Sequence, residues 1–174
     1  MSVRNIIIEP DPILRKKSET LEHVDDDTRK LLDDMLSTMY AAPGIGLAAV
    51  QIGILKRIIV IDVSKKDEQK KPFFLINPEI TFKSKSTSLY EEGCLSLPGY
   101  FAEIERPAHC TVKFIDYNGK QKELKASGLL STCIQHEIDH LNGVLFIDYL
   151  SKLKKDMIIK KLKKQKKEID RAIL

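Results

Sequence analysis

The stretch Gly128-LLSTCIQHEIDHLN-Gly143 largely decides the architecture of this 174-residue chain. Its apolar residues recur at helical spacing, which predicts a helix over about Gly128–Leu141, capped by Ser127 and closed by Asn142-Gly143. Such a helix is apolar enough to lie inside the protein. The stretch therefore predicts a central helix around which the remaining elements pack.

The same helix carries the pattern H-E-x-x-H. His136 and His140 are four residues apart, so both project from one face and can bind a single metal ion. Glu137 lies beside them and can handle the proton of a water molecule on that metal. The pattern predicts a hydrolytic metal site.

A catalytic metal site of this kind needs a third protein ligand and one open position. Downstream, Phe146 occupies the place where a longer protease pattern has its third His, and Glu168 lies in a Lys-rich tail without a matching context. Upstream, Cys94 lies between the turn-forming residues Gly93 and Pro98. A thiolate is a good metal ligand, and coordination keeps it deprotonated. Cys94 is therefore the predicted third ligand.

A third segment, residues 44–51, reads G-I-G-L-A-A-V-Q. Its glycines let a ligand approach the backbone, and the side-chain amide of Gln51 can donate a hydrogen bond. Taken alone, this segment is also compatible with ordinary packing.

The rest of the chain predicts an α+β fold, with mostly antiparallel strands packed around the central helix carrying HExxH. Asp25–Asp27 starts a first helix, which Pro43-Gly44 ends, and a last, C-terminal helix starts near Ser151. Strands are predicted at 57–63, 73–76, 111–117 and 121–124, the last two joined by a hairpin at Asn118-Gly119. We expect a single catalytic domain over residues 1–174, with 151–174 as a basic C-terminal helix.

Charge is distributed unevenly. The whole chain carries +4, whereas residues 151–174 carry nine Lys and one Arg against three acidic residues, so the tail is +7 and the remainder −3. The three cysteines show no C-x-x-C spacing, which disfavours a disulfide framework or a zinc finger. No signal peptide or membrane-spanning run is visible, and a cytoplasmic location is the expectation.

The three segments G-x-G-L-A-A-x-Q, E-G-C-L-S and Q-H-E-x-D-H-L, in this order, resemble the signature motifs of the peptide deformylase family. The resemblance covers nearly the whole chain. It implies an enzyme that removes the formyl group from the N-terminal formylmethionine of nascent polypeptides and releases formate.

The resemblance also implies a role for each motif residue. Cys94, His136 and His140 would bind one divalent metal, expected to be Fe(II), with Zn(II), Ni(II) or Co(II) able to substitute. Glu137 would move the proton, while the side-chain amide of Gln51 and the backbone N–H of Leu95 would hold the oxyanion.

For the substrate, the resemblance implies main-chain pairing with Ile45 and Gly46. Leu129 and Cys133, one helical turn apart, can line an apolar methionine pocket or belong to the core. Where many family members have an Arg, this chain has Gly99-Tyr100-Phe101, so contacts beyond methionine are expected to differ.

Three alternatives remain open from the sequence. The chain could be a general metallopeptidase, or a metal- or RNA-binding protein without catalysis, in which Glu137 and Gln51 would have no role. The basic C-terminal helix could be a solvated helix docked on the body, or could contact ribosomal RNA near the emerging nascent chain.

Overall fold

A computed structural model describes residues 1–173 of the chain. Three α-helices and seven β-strands make up the fold. In chain order they are α1 (Asp26–Ala41), β1 (Gly46–Ala48), β2 (Ile58–Ile61), β3 (Phe73–Lys83), β4 (Thr87–Cys94), β5 (Leu97–Pro107), β6 (His109–Ile115), β7 (Gln121–Ser127), α2 (Gly128–Leu141) and α3 (Lys152–Ile173).

Helix α1 begins where the sequence predicts it. The Asp25 side chain accepts a hydrogen bond from the Thr28 N–H and so caps the first turn, which also carries two acidic residues. Its apolar stripe, including Leu32, Met35 and Met39, is fully buried against β1 and β2. The helix therefore covers one side of the sheet.

The strands form two antiparallel sheets. The larger has the order β1-β2-β3-β6-β7, which leaves β1 as an edge strand, and the smaller consists of β4 and β5. Helix α2 contacts strands of both sheets, and ten of its fourteen residues are buried. The predicted α+β fold with a central HExxH helix is confirmed.

Several details differ from the sequence-based prediction. Strand β3 continues to Lys83 because its outer half pairs with β6, although its side chains there are mostly exposed and give no apolar signal. The β6–β7 connection covers residues 116–120 and is therefore longer than a two-residue turn. Within it, Asp116 Oδ1 accepts hydrogen bonds from the N–H groups of Asn118 and Lys120. Ser127 is at the N-cap of α2 but makes no side-chain capping bond. Strands β4 and β5 were not predicted.

The first half of helix α3 packs against the rest of the protein. Leu162 is its one buried residue, and it belongs to a cluster that includes Phe146 and Ile147 and residues of β5. The lysine-rich residues that follow are exposed. No helix among residues 1–173 is both long and apolar enough to cross a membrane.

Candidate active site

Helix α2 brings the two predicted histidine ligands together. His136 and His140 are buried on one face, with ring centroids 5.0 Å apart. Phe146, which stands where a protease would have its third His, is buried with its ring 6.2 Å from that of His136. The downstream position is therefore part of the apolar packing around the histidines.

Cys94 reaches the histidines from the end of β4. A register shift between Gly93 and Cys94 turns the strand there, and the Cys94 sulfur lies 3.3 Å from Nε2 of His140. One ligand atom from each of Cys94, His136 and His140 lies within 4.8 Å of the others. The structure thus brings together the three residues that the sequence predicts as metal ligands.

A buried ionic network fixes the orientation of His136. Its Nδ1 lies 2.9 Å from Oε2 of Glu92, which leaves Nε2 free to face a metal. Arg106 donates two hydrogen bonds to Glu92, at 2.5 and 3.0 Å, and a third to Asp139 at 2.8 Å. The Arg106 guanidinium also lies over the Tyr149 ring.

Sequence analysis missed this network. Glu92 and Asp139 lie inside the quoted motifs, so a search for carboxylates beside the histidines could have found them. Arg106 has no local signal, because it reaches both acids from β5 through the tertiary fold.

Burial and hydrogen bonding shift the protonation of these groups. Burial lowers the pKa of His140 well below its ordinary value, which favours the neutral imidazole that a metal binds. Burial alone would raise the pKa of Glu92, but the bonds from His136 and Arg106 outweigh it and lower that pKa. Glu92 is therefore an ionised acceptor for the His136 ring.

Glu137 lies against the first motif. A Cβ on Gly46 would overlap the Glu137 carboxylate, so only glycine leaves room for that side chain here. Oε2 of Glu137 is buried and has no hydrogen-bond partner among the described residues. Burial raises the pKa of Glu137 to about 7. The carboxyl group is thus placed to exchange a proton near neutral pH.

The amide of Gln51 is held in one orientation. Its Oε1 accepts the Ala48 N–H at 2.9 Å, so its Nε2 is the end that points to the site. Nε2 lies 3.0 Å from the Ser96 hydroxyl and 3.6 Å from the Cys94 sulfur. Ser96, within the second motif, was not singled out from the sequence. Leu95, whose N–H was predicted to hold the oxyanion, lies in the turn between β4 and β5. It lines the pocket that opens over Cys94.

A pocket of about 430 Å³ opens over Cys94, His136 and Glu137. Ile45 and Leu129 line it and are partly exposed, whereas Cys133 lines it from a buried position. Gly46 and Gln51 also belong to its wall. Every residue predicted for substrate binding therefore borders one pocket beside the three ligands.

Comparison with known proteins shows the family of this chain. The family model described as polypeptide deformylase matches residues 3–156. The chain belongs to the polypeptide deformylase family. It is 64% identical over 166 residues to a peptide deformylase of Pelagibacter ubique, covering 95% of this chain and 96% of that protein. A peptide deformylase of Rhizobium meliloti is 58% identical over 167 residues, covering 96% of each.

Solved structures of the family share the fold. The crystal structure of a peptide deformylase from Ehrlichia chaffeensis superposes with a TM-score of 0.91 at 46% identity, covering 96% of this chain and 98% of that one. A second structure of the Ehrlichia deformylase, in complex with actinonin, also gives a TM-score of 0.91, at 49% identity and 95% and 98% coverage.

The donor set of this deformylase-family chain suits a divalent metal. One thiol and two imidazoles converge at a buried position, and Glu92 orients one of the rings. Three protein ligands leave one position of a four-coordinate metal open, as in catalytic sites. The residues present therefore fit a single metal ion.

Proposed function

We propose that this chain is a metal-dependent hydrolase that removes the formyl group from the N-terminal formylmethionine of nascent polypeptides and releases formate. The observation that carries the proposal is the convergence of Cys94, His136 and His140 beside Glu137, at the base of a pocket that Cys94, His136 and Glu137 line. Family membership supports the choice of substrate. We further propose one catalytic domain over residues 1–174, working in the cytoplasm, where nascent chains emerge.

Fe(II) is the proposed physiological metal, held by Cys94, His136 and His140, with Zn(II), Ni(II) or Co(II) able to replace it. A divalent metal held by these residues would supply Lewis-acid chemistry, since it would lower the pKa of a bound water and polarise a carbonyl oxygen. Fe(II) is low in the affinity order of divalent metals, so Zn(II) in a purified sample does not identify the working metal. Loss of activity in air, with retention under anaerobic conditions, would support iron.

Glu137 is the proposed general base and acid. It takes a proton from the attacking water and later gives it to the departing amine of methionine. A carboxyl group with a pKa near 7 is suited to both directions of transfer at neutral pH. Gly46 packs against this carboxylate and limits its position.

Gln51 and Leu95 are the proposed oxyanion donors. The Gln51 side chain is only 1% exposed, and its oxygen is occupied by the Ala48 N–H, so the amide nitrogen is available to the site. Removing one such donor typically costs about 3–4 kcal/mol of transition-state stabilisation. Gln51→Ala should therefore lower kcat by about 100- to 1000-fold.

The substrate main chain is proposed to pair with Ile45 and Gly46. Gly46 lies opposite Ile61, and the neighbouring hydrogen bond runs from the Asp62 N–H to the Ile45 carbonyl. In an antiparallel ladder this makes Gly46–Ile61 a non-hydrogen-bonded pair, so the N–H and C=O of Gly46 point away from β2. Since β1 is an edge strand, these groups face the pocket. Leu129 and Cys133 are proposed to contact the methionine side chain.

The exposed half of α3 is a proposed contact with the ribosome. A groove on this helix is lined by Met157 and five lysines. Residues 151–174 have a net charge of +7, whereas the rest of the chain is at −3. Binding to ribosomal RNA by this route should weaken as salt rises. Unchanged ribosome affinity after deletion of residues 163–174 would contradict this contact.

The test of the main proposal is formate release from a formylmethionyl peptide by anaerobically prepared, Fe(II)-loaded protein. Formate with intact peptide bonds, checked by mass spectrometry, supports the deformylase and excludes a general metallopeptidase for that peptide. Internal cleavage, or no formate from metal-loaded protein, would overturn it.

Glu137→Ala separates catalysis from metal binding alone. The variant should retain the metal but lose nearly all turnover, because proton transfer is removed. Glu123→Ala, at an exposed position on β7, is the matched control and should behave like the wild type. Near-normal turnover in Glu137→Ala would refute the assigned base.

A further inference from the structure

The segment Tyr40–Ile45, here called the rim segment, connects the end of α1 to β1. Its residues 42–45 line the pocket. Asp62, just after β2, contacts both ends of this segment. Its N–H donates to the Ile45 carbonyl at 2.9 Å, and its Oδ2 accepts the Tyr40 hydroxyl at 2.5 Å.

Asp62 is itself held firmly. The residue is 3% exposed, although it carries a charge. Its Oδ1 accepts hydrogen bonds from the Ser64 N–H, at 2.9 Å, and from the Ser64 hydroxyl. Burial raises the pKa of Asp62, but the bonds from Ser64 and Tyr40 outweigh burial and lower it. An ionised Asp62 therefore accepts the Tyr40 hydrogen bond strongly.

This arrangement fixes the free edge of the larger sheet. The rim segment leads directly into Gly46, whose main-chain groups face the pocket. If the Tyr40 end of the segment moves, the Ile45–Gly46 edge moves relative to Cys94 and Glu137. Errors of about 1 Å in such positioning can cost about 100-fold in rate.

We propose that Tyr40 and Asp62 are positioning residues, which hold the rim segment where the Ile45–Gly46 main chain meets the peptide downstream of formylmethionine. Neither residue belongs to the three sequence motifs. The inference rests on the proposed function, since it specifies how that site aligns a peptide.

The test compares a long and a short substrate. Tyr40→Phe removes only the hydroxyl and should lower kcat/KM about tenfold on a formylmethionyl tripeptide, mainly through KM. The same variant should lose less than about twofold on formylmethionine amide, which has no downstream residues to align. Amide hydrogen exchange of Asp62, whose N–H donates to the Ile45 carbonyl, should become faster.

Tyr117→Phe is the matched control. The Tyr117 hydroxyl likewise donates to an aspartate, Asp33, at 3.2 Å, but neither residue belongs to the rim segment. This variant should leave the ratio of the two substrates unchanged. Asp62→Asn should reproduce the length-dependent loss of kcat/KM. The double variant with Tyr40→Phe should lose no more kcat/KM than the more severely affected of the two single variants.

Each outcome is decisive. A length-dependent loss in Tyr40→Phe but not in Tyr117→Phe supports the inference. Equal loss on both substrates, no loss, or the same pattern in Tyr117→Phe overturns it while leaving the deformylase proposal intact. If the wild-type protein releases no formate from either substrate, the proposed function fails first and this inference falls with it.

Discussion

Replacing Arg106 by leucine removes the cation that joins Glu92 to Asp139 next to the proposed metal ligand His136. Arg106 is 4% exposed and makes two hydrogen bonds to Glu92, which is also buried. After the replacement, Glu92 keeps only its contact with His136. Asp139 loses less, because it retains the Tyr149 hydroxyl and is partly exposed.

Breaking a buried ion pair by removing one partner costs about 3–5 kcal/mol, since the other charge stays buried. We expect Arg106→Leu to lower the free energy of unfolding by this amount, mostly through Glu92. That is a large share of the roughly 5–15 kcal/mol by which domains are stable. Urea denaturation of protein treated with a chelator to remove metal measures this change in the free energy of unfolding without a contribution from the metal. A loss below about 1 kcal/mol with an unchanged urea slope would refute the reasoning.

Two further variants test the cause. Arg29→Leu removes a cation paired with the fully exposed carboxylate of Asp26, so it should cost no more than about 1 kcal/mol. Combining Arg106→Leu with Glu92→Leu should recover part of the lost stability, because the buried Glu92 charge is then no longer left without its cation. Metal affinity should still fall by about 10- to 100-fold, because His136 has lost its orienting carboxylate.

Three other perturbations have defined outcomes. Gly46→Ala should displace the Glu137 carboxylate and lower kcat/KM by about 100-fold; steady-state kinetics would contradict this if activity stayed within threefold. Burial raises the pKa of Asp148, but the contacts with Lys155, the Leu145 N–H and Arg15 outweigh it and lower the pKa below the ordinary 3.8. Ionised Asp148 therefore stabilises the fold at pH values above its ordinary pKa. The difference in the free energy of unfolding between the wild type and Asp148→Asn should disappear as the pH falls through the lowered pKa. A difference that persists in acid, measured by urea denaturation, would be evidence against this. Leu162→Ala should release α3 from the rest of the protein, because it removes the buried contact of that helix. Trypsin should then cleave the lysine-rich tail faster, while the turnover of short peptides stays unchanged. An unchanged cleavage rate would show that other residues hold the helix.

Local patterns in the sequence determined the central helix and its chemistry. The bounds of α2 agree with the predicted Gly128–Leu141, because its apolar residues and its Asn142-Gly143 end are local signals. The pairing of His136 with His140 follows from helical geometry alone. The start of α1 at Asp26, directly after its cap Asp25, follows likewise from a capping bond between near neighbours.

Strands β4 and β5 escaped prediction because their exposed and buried positions do not separate into polar and apolar residues. Leu89 and Phe101 are exposed, whereas Glu92 and Arg106 are buried, so the apolar alternation that marks a half-buried strand is weak. Yet this sheet carries Cys94 to the histidines and Arg106 to Glu92.

The sequence by itself therefore determined which residue types could form the site, and where its helix begins and ends. Tertiary structure alone decided that Arg106 orients His136 through Glu92, that β1 is a free edge, and that Asp62 holds the rim segment at both ends. Periodicity and capping act between residues a few positions apart, so a sequence displays them directly. Contacts between distant strands depend on how the elements pack, which no short window of sequence specifies.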